Sequence, residues 1–421
     1  MIYALLLIGL VTINGKLLLL ALPLVFYLGG GILYSPGVLQ LKATRQVSSD
    51  LVFQKKPASV RLTVSNQGEG LDELLLEDTF AAPFTVNNGN PRQLLSFMAD
   101  EQFNFEYTVQ GERGRYISAG VQAIATDHFN LFQEQQILSI PAKLTILPEA
   151  WRLRPVAIRP SNTRGFAGPI PARISGTGVD FLGVREYKLG DPMRKINWRV
   201  STRHQQNLFT NEFEQERIAD VGLILDARQQ LNLRSSEGSL FEYSVMATAA
   251  LADAFLNDGH RVALLVYGFG LDRVYPGYGK VQLRRILQAL AVARVGFNYA
   301  LESLNYLPTR LFPAHSQLVV VSPIQVGDLE AFVRLRSFGY EIMLVSPDPA
   351  DFEARSYTPK DRMNSTISFP LRFVRIERTL LLHQLRRIGV RVVDWPVDQP
   401  LDNAIHSSLI KQPLGRRIMN L

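Results

Sequence analysis

The stretch VGLILD, residues 221–226, is a continuous apolar run that ends in an aspartate. Such a run is typical of a strand that is buried on both faces of a parallel sheet. Similar apolar runs follow at residues 262–267, 318–321, 342–345 and 390–393. Stretches whose apolar residues recur at helical spacing lie between them, around residues 241–256, 281–295, 328–338 and 375–388. Because strands alternate with helices, the sequence predicts a doubly wound α/β domain over residues 217–400.

Upstream of this domain, residues 37–150 alternate between apolar and polar side chains. The segments VRLTV at 60–64 and FNFEY at 103–107 show the two-residue period, which is typical of strands with one buried face. Turn-rich breaks such as NNGNP at 87–91 separate the alternating runs. Several short strands at this spacing predict an all-β, immunoglobulin-like sandwich.

The first 34 residues carry one charged side chain, Lys16, which lies between two apolar arms. A turn at residues 14–16 predicts a transmembrane helical hairpin over residues 1–36, with a single span or a cleaved signal peptide as alternatives. Lysine and arginine are concentrated just after the second arm. By the positive-inside rule, this bias predicts a cell-membrane protein with an N-terminal anchor and a cytoplasmic large domain.

The composition excludes several classes of protein. With 47% hydrophobic and 20% charged residues over 421 positions, the chain is globular rather than disordered. The absence of cysteine excludes disulfides, a thiol nucleophile, zinc fingers and iron–sulfur clusters. The net charge of +7 is concentrated in residues 151–210, which hold eleven basic and three acidic side chains. We therefore expect one local basic surface rather than a protein that binds nucleic acid.

The basic segment contains the string GTGVDFLGVREYKLGDPMRKINW, residues 176–198. One interpretation is a cationic docking surface for acidic groups of a partner. The other is a structural brace of arginine, aspartate and tryptophan that joins the β module to the α/β domain. Gly190 and Asp191 predict a turn. In this turn, Asp191 either caps the backbone or pairs with Arg194. The candidate residues of this segment are Arg185, Tyr187, Gly190, Asp191, Arg194, Trp198 and Arg203.

This string, together with ERGRY at 112–116 and TDHFNLF at 126–132, closely resembles the bacterial and archaeal family called domain of unknown function 58. The resemblance implies a membrane hairpin, a β-rich module, a basic signature segment over residues 151–216 and a von Willebrand factor A-like domain with a Rossmann-like α/β fold. Family members are typically encoded beside AAA+ ATPases of the MoxR type, which implies such an ATPase as a partner. The family has no established activity, so the resemblance implies an architecture and a partner rather than a reaction.

Von Willebrand factor A-like domains usually bind a divalent cation through an Asp-x-Ser-x-Ser loop at the strand ends. The matching loop here is DARQQ, residues 226–230, which keeps Asp226 and loses both hydroxyl positions. Ser322 stands where a further acid is expected. Since hard cations need oxygen ligands, the sequence predicts a degenerate site at Asp226 without a metal. The intermediate interpretation is that Arg228 substitutes for the charge of the metal.

The sequence contains no Gly-x-x-x-x-Gly-Lys-[Ser/Thr] loop and no Gly-x-Ser-x-Gly elbow, so we expect neither a P-loop ATPase nor a serine hydrolase. No catalytic residue and no cofactor is predicted. The prediction is a membrane-anchored, non-enzymatic scaffold or adaptor that acts with a MoxR-type ATPase in chaperone-like assembly or maturation and ends in a tail over residues 401–421. Two alternatives stay open: a cation-dependent, adhesion-type ligand-binding domain, and an enzyme that uses the arginine cluster on an anionic substrate.

Overall fold

The computed structural model describes residues 7–8, 10–11, 15–158, 170–203, 207–235, 238–297, 304–308, 311–355 and 365–411. The chain divides into two compact units, Met1–Leu147 and Pro148–Leu421. Each unit has its own hydrophobic core, because its buried apolar side chains cluster within that unit.

The first unit contains helix α1, Gly15–Leu33, and a set of short strands. The strands are β1 (Leu41–Val47), β2 (Leu51–Phe53), β3 (Ala58–Asn66), β4 (Leu71–Asp78), β5 (Thr85–Asn88), β6 (Arg92–Phe97), β7 (Gln102–Gln110), β8 (Gly114–Thr126) and β9 (Gln133–Leu147). They form two sheets, with the orders β1-β3-β7-β5 and β2-β9-β8-β4-β6. Neighbouring strands are antiparallel except β2 and β9, which pair in parallel.

The two sheets enclose an apolar core because their strands alternate between buried and exposed side chains. In β3, Val60 and Leu62 are buried, whereas Arg61 between them is exposed. Successive residues of a strand face opposite sides of the sheet, so one side of β3 contributes to the core. Buried side chains of both sheets belong to the same cluster. The first unit is therefore a two-layer β sandwich with α1 at its N-terminal end.

A buried ion pair lies inside this sandwich. The Arg45 guanidinium donates to both carboxylate oxygens of Asp78, and both side chains are at most 1% exposed. The Tyr107 hydroxyl donates to Asp78 at 2.7 Å, and the Phe80 backbone N–H donates to it at 3.0 Å. Burial and the neighbouring charge of Asp78 raise the pKa of Tyr107 above its ordinary value. One buried carboxylate is thus compensated by a cation and two further donors.

The predicted transmembrane hairpin is wrong. Within the described residues, no helix combines the length and the apolarity that crossing a bilayer requires. Most of the first arm of that hairpin lies outside the described residues, and the second arm forms α1, which contains Pro23. The predicted location, a cell-membrane protein with an N-terminal anchor and a cytoplasmic large domain, depended on this hairpin and is wrong with it.

Helix α1 uses its glycine-rich end to contact the β sandwich. A Cβ atom at Gly30 would lie 2.9 Å from Cε2 of Phe129, and a Cβ atom at Gly31 would lie 2.8 Å from Cδ1 of Leu131. The absence of a side chain at these positions permits the close approach. The Tyr27 hydroxyl donates to the carbonyl oxygen of Phe129 at 2.8 Å. The hydrophobicity of the segment predicted a lipid environment, whereas this end of the helix packs on protein.

The second unit contains a larger set of strands and helices. Its strands are β10 (Ile170–Glu186), β11 (Phe209–Arg217), β12 (Asp220–Asp226), β13 (Arg234–Ser235), β14 (Gly238–Ser239), β15 (Arg261–Tyr267), β16 (Leu271–Gly277), β17 (Gln317–Val321), β18 (Glu341–Pro347) and β19 (Arg391–Trp395). Its helices are α2 (Trp198–Ser201), α3 (Leu240–Asn257), α4 (Gly279–Val292), α5 (Leu329–Ser337), α6 (Pro349–Arg355), α7 (Ser365–Arg387) and α8 (Leu401–Lys411). The central sheet has the order β16-β15-β12-β17-β18-β19, in which β16 is antiparallel and the other strands are parallel.

Strand β12 lies inside the central sheet and is buried on both faces. Leu223, Ile224 and Leu225 are all fully buried. Residues of α5 and α7 pack in one cluster with Ile224, while α3 contacts β12 and β15. A strand that is covered on two faces has no solvent-facing position, which explains its continuous apolar run. Strand β12 ends at Asp226, at the edge of the sheet where the loops that follow the parallel strands begin.

The predicted C-terminal tail, residues 401–421, begins as helix α8. This helix contacts β19, and its Leu401 and Ile405 are buried. Asp402 accepts the backbone N–H of Arg154 at 2.9 Å and the guanidinium Nε of the same residue at 2.7 Å. Helix α8 therefore holds the beginning of the second unit. Residues 412–421 lie outside the described residues.

Buried His260 predicts a pH dependence of stability. The residue is 2% exposed, and burial lowers its pKa from 6.5 to about 4. The unfolded chain therefore binds this proton at a higher pH than the folded chain does. As a result, the free energy of unfolding is expected to fall as the pH decreases from about 6.5 to about 4. At 1.36 kcal/mol per pKa unit, the full loss is ~3 kcal/mol.

The variant His260→Leu is expected to lose less stability on acidification than wild type does, because it has no buried imidazole to protonate. Thermal unfolding at about pH 7 and about pH 4.5 measures this difference. His383→Leu, which changes an exposed histidine on α7, is the matched control and should behave like wild type. The same acid-induced loss in His260→Leu and in wild type would contradict the prediction.

Candidate functional site

The basic signature segment is built on a two-stranded antiparallel ribbon of β10 and β11. The register pairs Glu186 with Phe209 next to the connecting loop. This loop contains a 3-10 turn, Met193–Lys195, followed by the short helix α2. Asn197 caps α2, because its side-chain oxygen accepts the N–H of Val200 at 3.1 Å. The ribbon and the capped helix together define the backbone of this loop over residues 187–203.

Arg185 braces this loop from the end of the ribbon. Its guanidinium donates to the two carboxylate oxygens of Asp191 at 2.7 and 2.8 Å, and its Nε donates to Glu212 at 2.7 Å. Asp191 also accepts the backbone N–H of Lys188 at 2.9 Å, which closes a turn where Gly190 has a φ of +105°. The hydrogen bonds from Arg185 lower the pKa of Asp191 to about 2. A bidentate ion pair thus fixes the turn.

The structure separates the seven candidate residues of this segment by their role. Three of them build the loop: Arg185, Gly190 and Asp191. Three others have side chains that are exposed to solvent: Arg194, Trp198 and Arg203. Tyr187 is half-buried, and its backbone N–H donates to the carbonyl oxygen of Leu208 at 2.7 Å. The predicted pairing of Asp191 with Arg194 is wrong, because Arg185 engages both carboxylate oxygens.

The same loop exposes large apolar side chains. Leu189 is fully exposed, and the exposed fractions of Met193 and Trp198 are 77% and 62%. The exposed Arg194 and Arg199 lie beside them in the chain. We call these five residues the loop surface. Tryptophan, methionine and arginine are the residue types that are enriched where proteins bind one another, so this surface has the composition of a docking site.

A second cluster lies at the carboxyl ends of β12 and β17. The Arg228 guanidinium donates to Asp226 from Nε and Nη2, at 2.9 and 2.6 Å. It also donates to Asp328 from Nη1 and Nη2, at 2.9 and 2.8 Å. The Ser322 hydroxyl donates to Asp226 at 2.6 Å. Each of these four residues is at most 4% exposed.

The guanidinium of Arg228 fills the space between the two carboxylates. Burial alone would lower the pKa of Arg228, but the charge and hydrogen bonds of Asp226, with those of Asp328, raise it above its ordinary value. The cation of this cluster is therefore permanently charged. A divalent cation would have to displace the guanidinium to reach the same oxygens. In the part of the chain that the structure describes, no group of three or more acidic or histidine side chains could hold a metal ion.

No curated protein matches the chain. Among solved structures, the chain is similar to the CARDB domain of the PF1109 protein from Pyrococcus furiosus, with 15% identity over 27% of this chain and 92% of that one, and a TM-score of 0.19. It is also similar to a FixG-related protein from Vibrio parahaemolyticus, with 14% identity over 25% of this chain and 95% of that one, and a TM-score of 0.19. Both TM-scores are low, so neither similarity carries an argument about this chain.

A family profile matches the segment that contains both clusters. The profile is described as "Protein of unknown function DUF58" and covers residues 183–353. The matched segment begins inside the signature string and includes the loop surface together with Asp226, Arg228 and Asp328. It does not extend into the β sandwich of the first unit. Residues 183–353 thus match the DUF58 family, and this match covers less than half of the chain.

Proposed function

We propose that this chain is a non-enzymatic adaptor whose loop surface docks a partner protein. The observation that carries the proposal is the exposure of Leu189, Met193 and Trp198 on a loop that an ion pair holds in place. Apolar area in water is unfavourable, and a partner that covers it recovers roughly 25 cal/mol per Å². A braced loop also loses little conformational freedom on binding, which favours affinity.

The partner of this surface should be acidic. Arg194 and Arg199 add positive charge next to the apolar side chains, and both are exposed. Guanidinium groups form bidentate hydrogen bonds with carboxylates, so aspartate and glutamate of a partner match them. Charge complementarity of this kind raises the rate of association and selects among partners.

The resemblance to the DUF58 family implies an AAA+ ATPase of the MoxR type as this partner. In the proposal, the ATPase supplies the work of ATP hydrolysis and the adaptor directs it to a client in chaperone-like assembly or maturation. The resemblance also implies von Willebrand factor A-like character for the domain around the six-stranded sheet. The cation-dependent alternative needs an open site at Asp226, and the buried Arg228 guanidinium lies in that place.

The double variant Arg194→Ala/Trp198→Ala is expected to lose this partner. Cells that express the tagged chain are treated with a crosslinker, and the captured proteins are identified by mass spectrometry. We expect an AAA+ ATPase with the wild-type chain. Because loss of a hot-spot residue costs at least ~2 kcal/mol, capture by the double variant should fall about 30-fold or more.

A matched control distinguishes this loop from surface changes in general. Val281→Ala/Arg284→Ala removes one exposed apolar residue and one exposed arginine from α4, and it should capture the ATPase as wild type does. Thermal melting verifies that each variant is folded. Equal capture by wild type and by a normally melting Arg194→Ala/Trp198→Ala variant would exclude the loop surface as the docking site. Absence of any AAA+ ATPase from the wild-type sample would exclude this class of partner.

A further inference from the structure

Helix α7 leaves an apolar stripe in solvent. The stripe consists of Phe369, Phe373, Ile376 and Leu380, which are 73%, 59%, 61% and 59% exposed. Their spacing of four, three and four residues places them on one face of the helix. The C-terminal part of α7 is different, because its Leu381, Leu382 and Leu385 are buried in the core of the second unit. One part of α7 thus holds the helix in place, and another presents apolar side chains.

The stripe has the spacing of a coiled-coil seam. With Phe373 and Leu380 at a positions, Phe369 and Ile376 take the d positions of the same heptad pattern. A seam of this kind packs against a second helix whose apolar side chains follow the same repeat. The flanking g and e positions then hold Arg372 and Glu377, and both are exposed.

We propose that α7 is the contact between two copies of this chain, paired in parallel. The choice of a second copy follows from the charges beside the seam. In a parallel pair, a g position faces the e position of the next heptad in the other helix, so Arg372 of one copy faces Glu377 of the other. Twofold symmetry makes this contact twice. Among the described residues, neither side chain has an ion-pair partner within its own chain.

The area of the stripe indicates a small interface. Four large side chains from each copy, at roughly 100 Å² each, would bury on the order of 1,000 Å² together with their surroundings. This value is near the lower limit for a specific interface. We therefore expect a weak dimer whose fraction rises with the concentration of the chain.

Sedimentation velocity of the purified full chain tests this dimer over a range of concentrations. Wild type is expected to show a monomer–dimer equilibrium. The variant Phe373→Glu/Ile376→Glu should associate at least ~10-fold more weakly, because it places charges inside the seam. The control is Val374→Glu, which changes an exposed apolar residue about 130° around the helix from the stripe and should dimerise like wild type. Circular dichroism verifies that the variants are folded.

Charge reversal distinguishes a second copy from any other occupant of the stripe. Arg372→Glu and Glu377→Arg should each weaken self-association, because like charges then meet across the seam. An equimolar mixture of the two variants should restore the dimer, since each introduced charge faces an opposite one in the mixed pair. If neither variant changes the self-association, the proposal is overturned. This result is expected if two copies contact each other through the exposed apolar residues of α1.

The absence of cysteine from the chain permits a direct test of the orientation. In a parallel pair the two residues at 376 meet at the seam, so Ile376→Cys should form a disulfide-linked dimer on mild oxidation. Val374→Cys, away from the seam, should not. If the wild-type chain stays monomeric and position 376 gives no crosslink, the proposal is overturned. The same result is expected if another segment of the same chain covers the stripe. None of these measurements depends on the loop surface, so this dimer and the proposed function stand or fall separately.

Discussion

Arg228→Ala is expected to lower the free energy of unfolding of the second unit by ~3–5 kcal/mol. Arg228 is the cation that Asp226 and Asp328 share, and both carboxylates are almost completely buried. Its removal leaves two buried carboxylates that keep donors such as the Ser322 hydroxyl but lose the cation between them, in an interior where water cannot solvate them. At roughly 2–4 °C per kcal/mol for a unit of this size, Tm should fall by ~6–20 °C.

Thermal unfolding followed by circular dichroism measures this loss. Arg234→Ala, a nearby change of an exposed arginine, is the control and should stay within ~0.5 kcal/mol of wild type. Addition of Asp226→Asn and Asp328→Asn to Arg228→Ala removes the two uncompensated charges and should recover part of the stability. Mg²⁺ should not raise the Tm of wild type, because the guanidinium occupies the space between the carboxylates. An Arg228→Ala variant that melts like wild type would contradict this account of the cluster.

Asp78→Ala should destabilise the first unit by a similar amount, ~3–5 kcal/mol. The change removes the carboxylate that accepts hydrogen bonds from the Tyr107 hydroxyl and from Nε and Nη2 of Arg45. The buried guanidinium would keep only the carbonyl oxygens of Ile140 and Gly120, at 2.8 and 3.1 Å. A buried cation without a carboxylate is costly, so the unit should unfold at a lower urea concentration.

Glu106→Ala provides the matched control for this experiment. Glu106 also pairs with an arginine of the sandwich, Arg61, but their side chains are 46% and 60% exposed. Exposed pairs contribute at most ~1 kcal/mol, so this variant should unfold close to wild type in a urea titration. Equal losses for Asp78→Ala and Glu106→Ala would show that burial does not set the contribution of the Arg45–Asp78 pair.

The strands of the central sheet could be predicted because burial on two faces leaves a direct trace in the sequence. The apolar run at 221–225 lies within β12, and the run at 262–267 lies within β15. The two-residue alternation at 60–64 likewise marks β3, where one face is buried. In each case the periodicity of apolar residues reports which faces of a strand are covered.

The N-terminal helix could not be predicted in the same way. Apolar composition indicates that a segment avoids water, but it does not indicate whether lipid or protein covers it. The contact that decides the question for the end of α1 joins Gly30 and Tyr27 to Phe129, about one hundred residues later in the chain. No local pattern in residues 1–34 contains that information.

The residues of the candidate site were easier to predict than their pairing. Arg185, Asp191 and Trp198 belong to one string, yet only the reversal of the chain at Gly190 decides that the first two meet and the third is exposed. The sequence does not indicate Leu189, because no local pattern shows whether a single apolar residue in a loop is exposed. Asp328 was missed as the second partner of Arg228, one hundred residues away in the chain.

The proposed function depends on whether the loop surface binds an AAA+ ATPase. The most direct test is a titration of the purified chain with the ATPase captured from cells, which gives a dissociation constant for wild type and each variant. We expect the dissociation constant to be about 30-fold or more higher for Arg194→Ala/Trp198→Ala and unchanged for Val281→Ala/Arg284→Ala. Equal dissociation constants for wild type and both variants would contradict it.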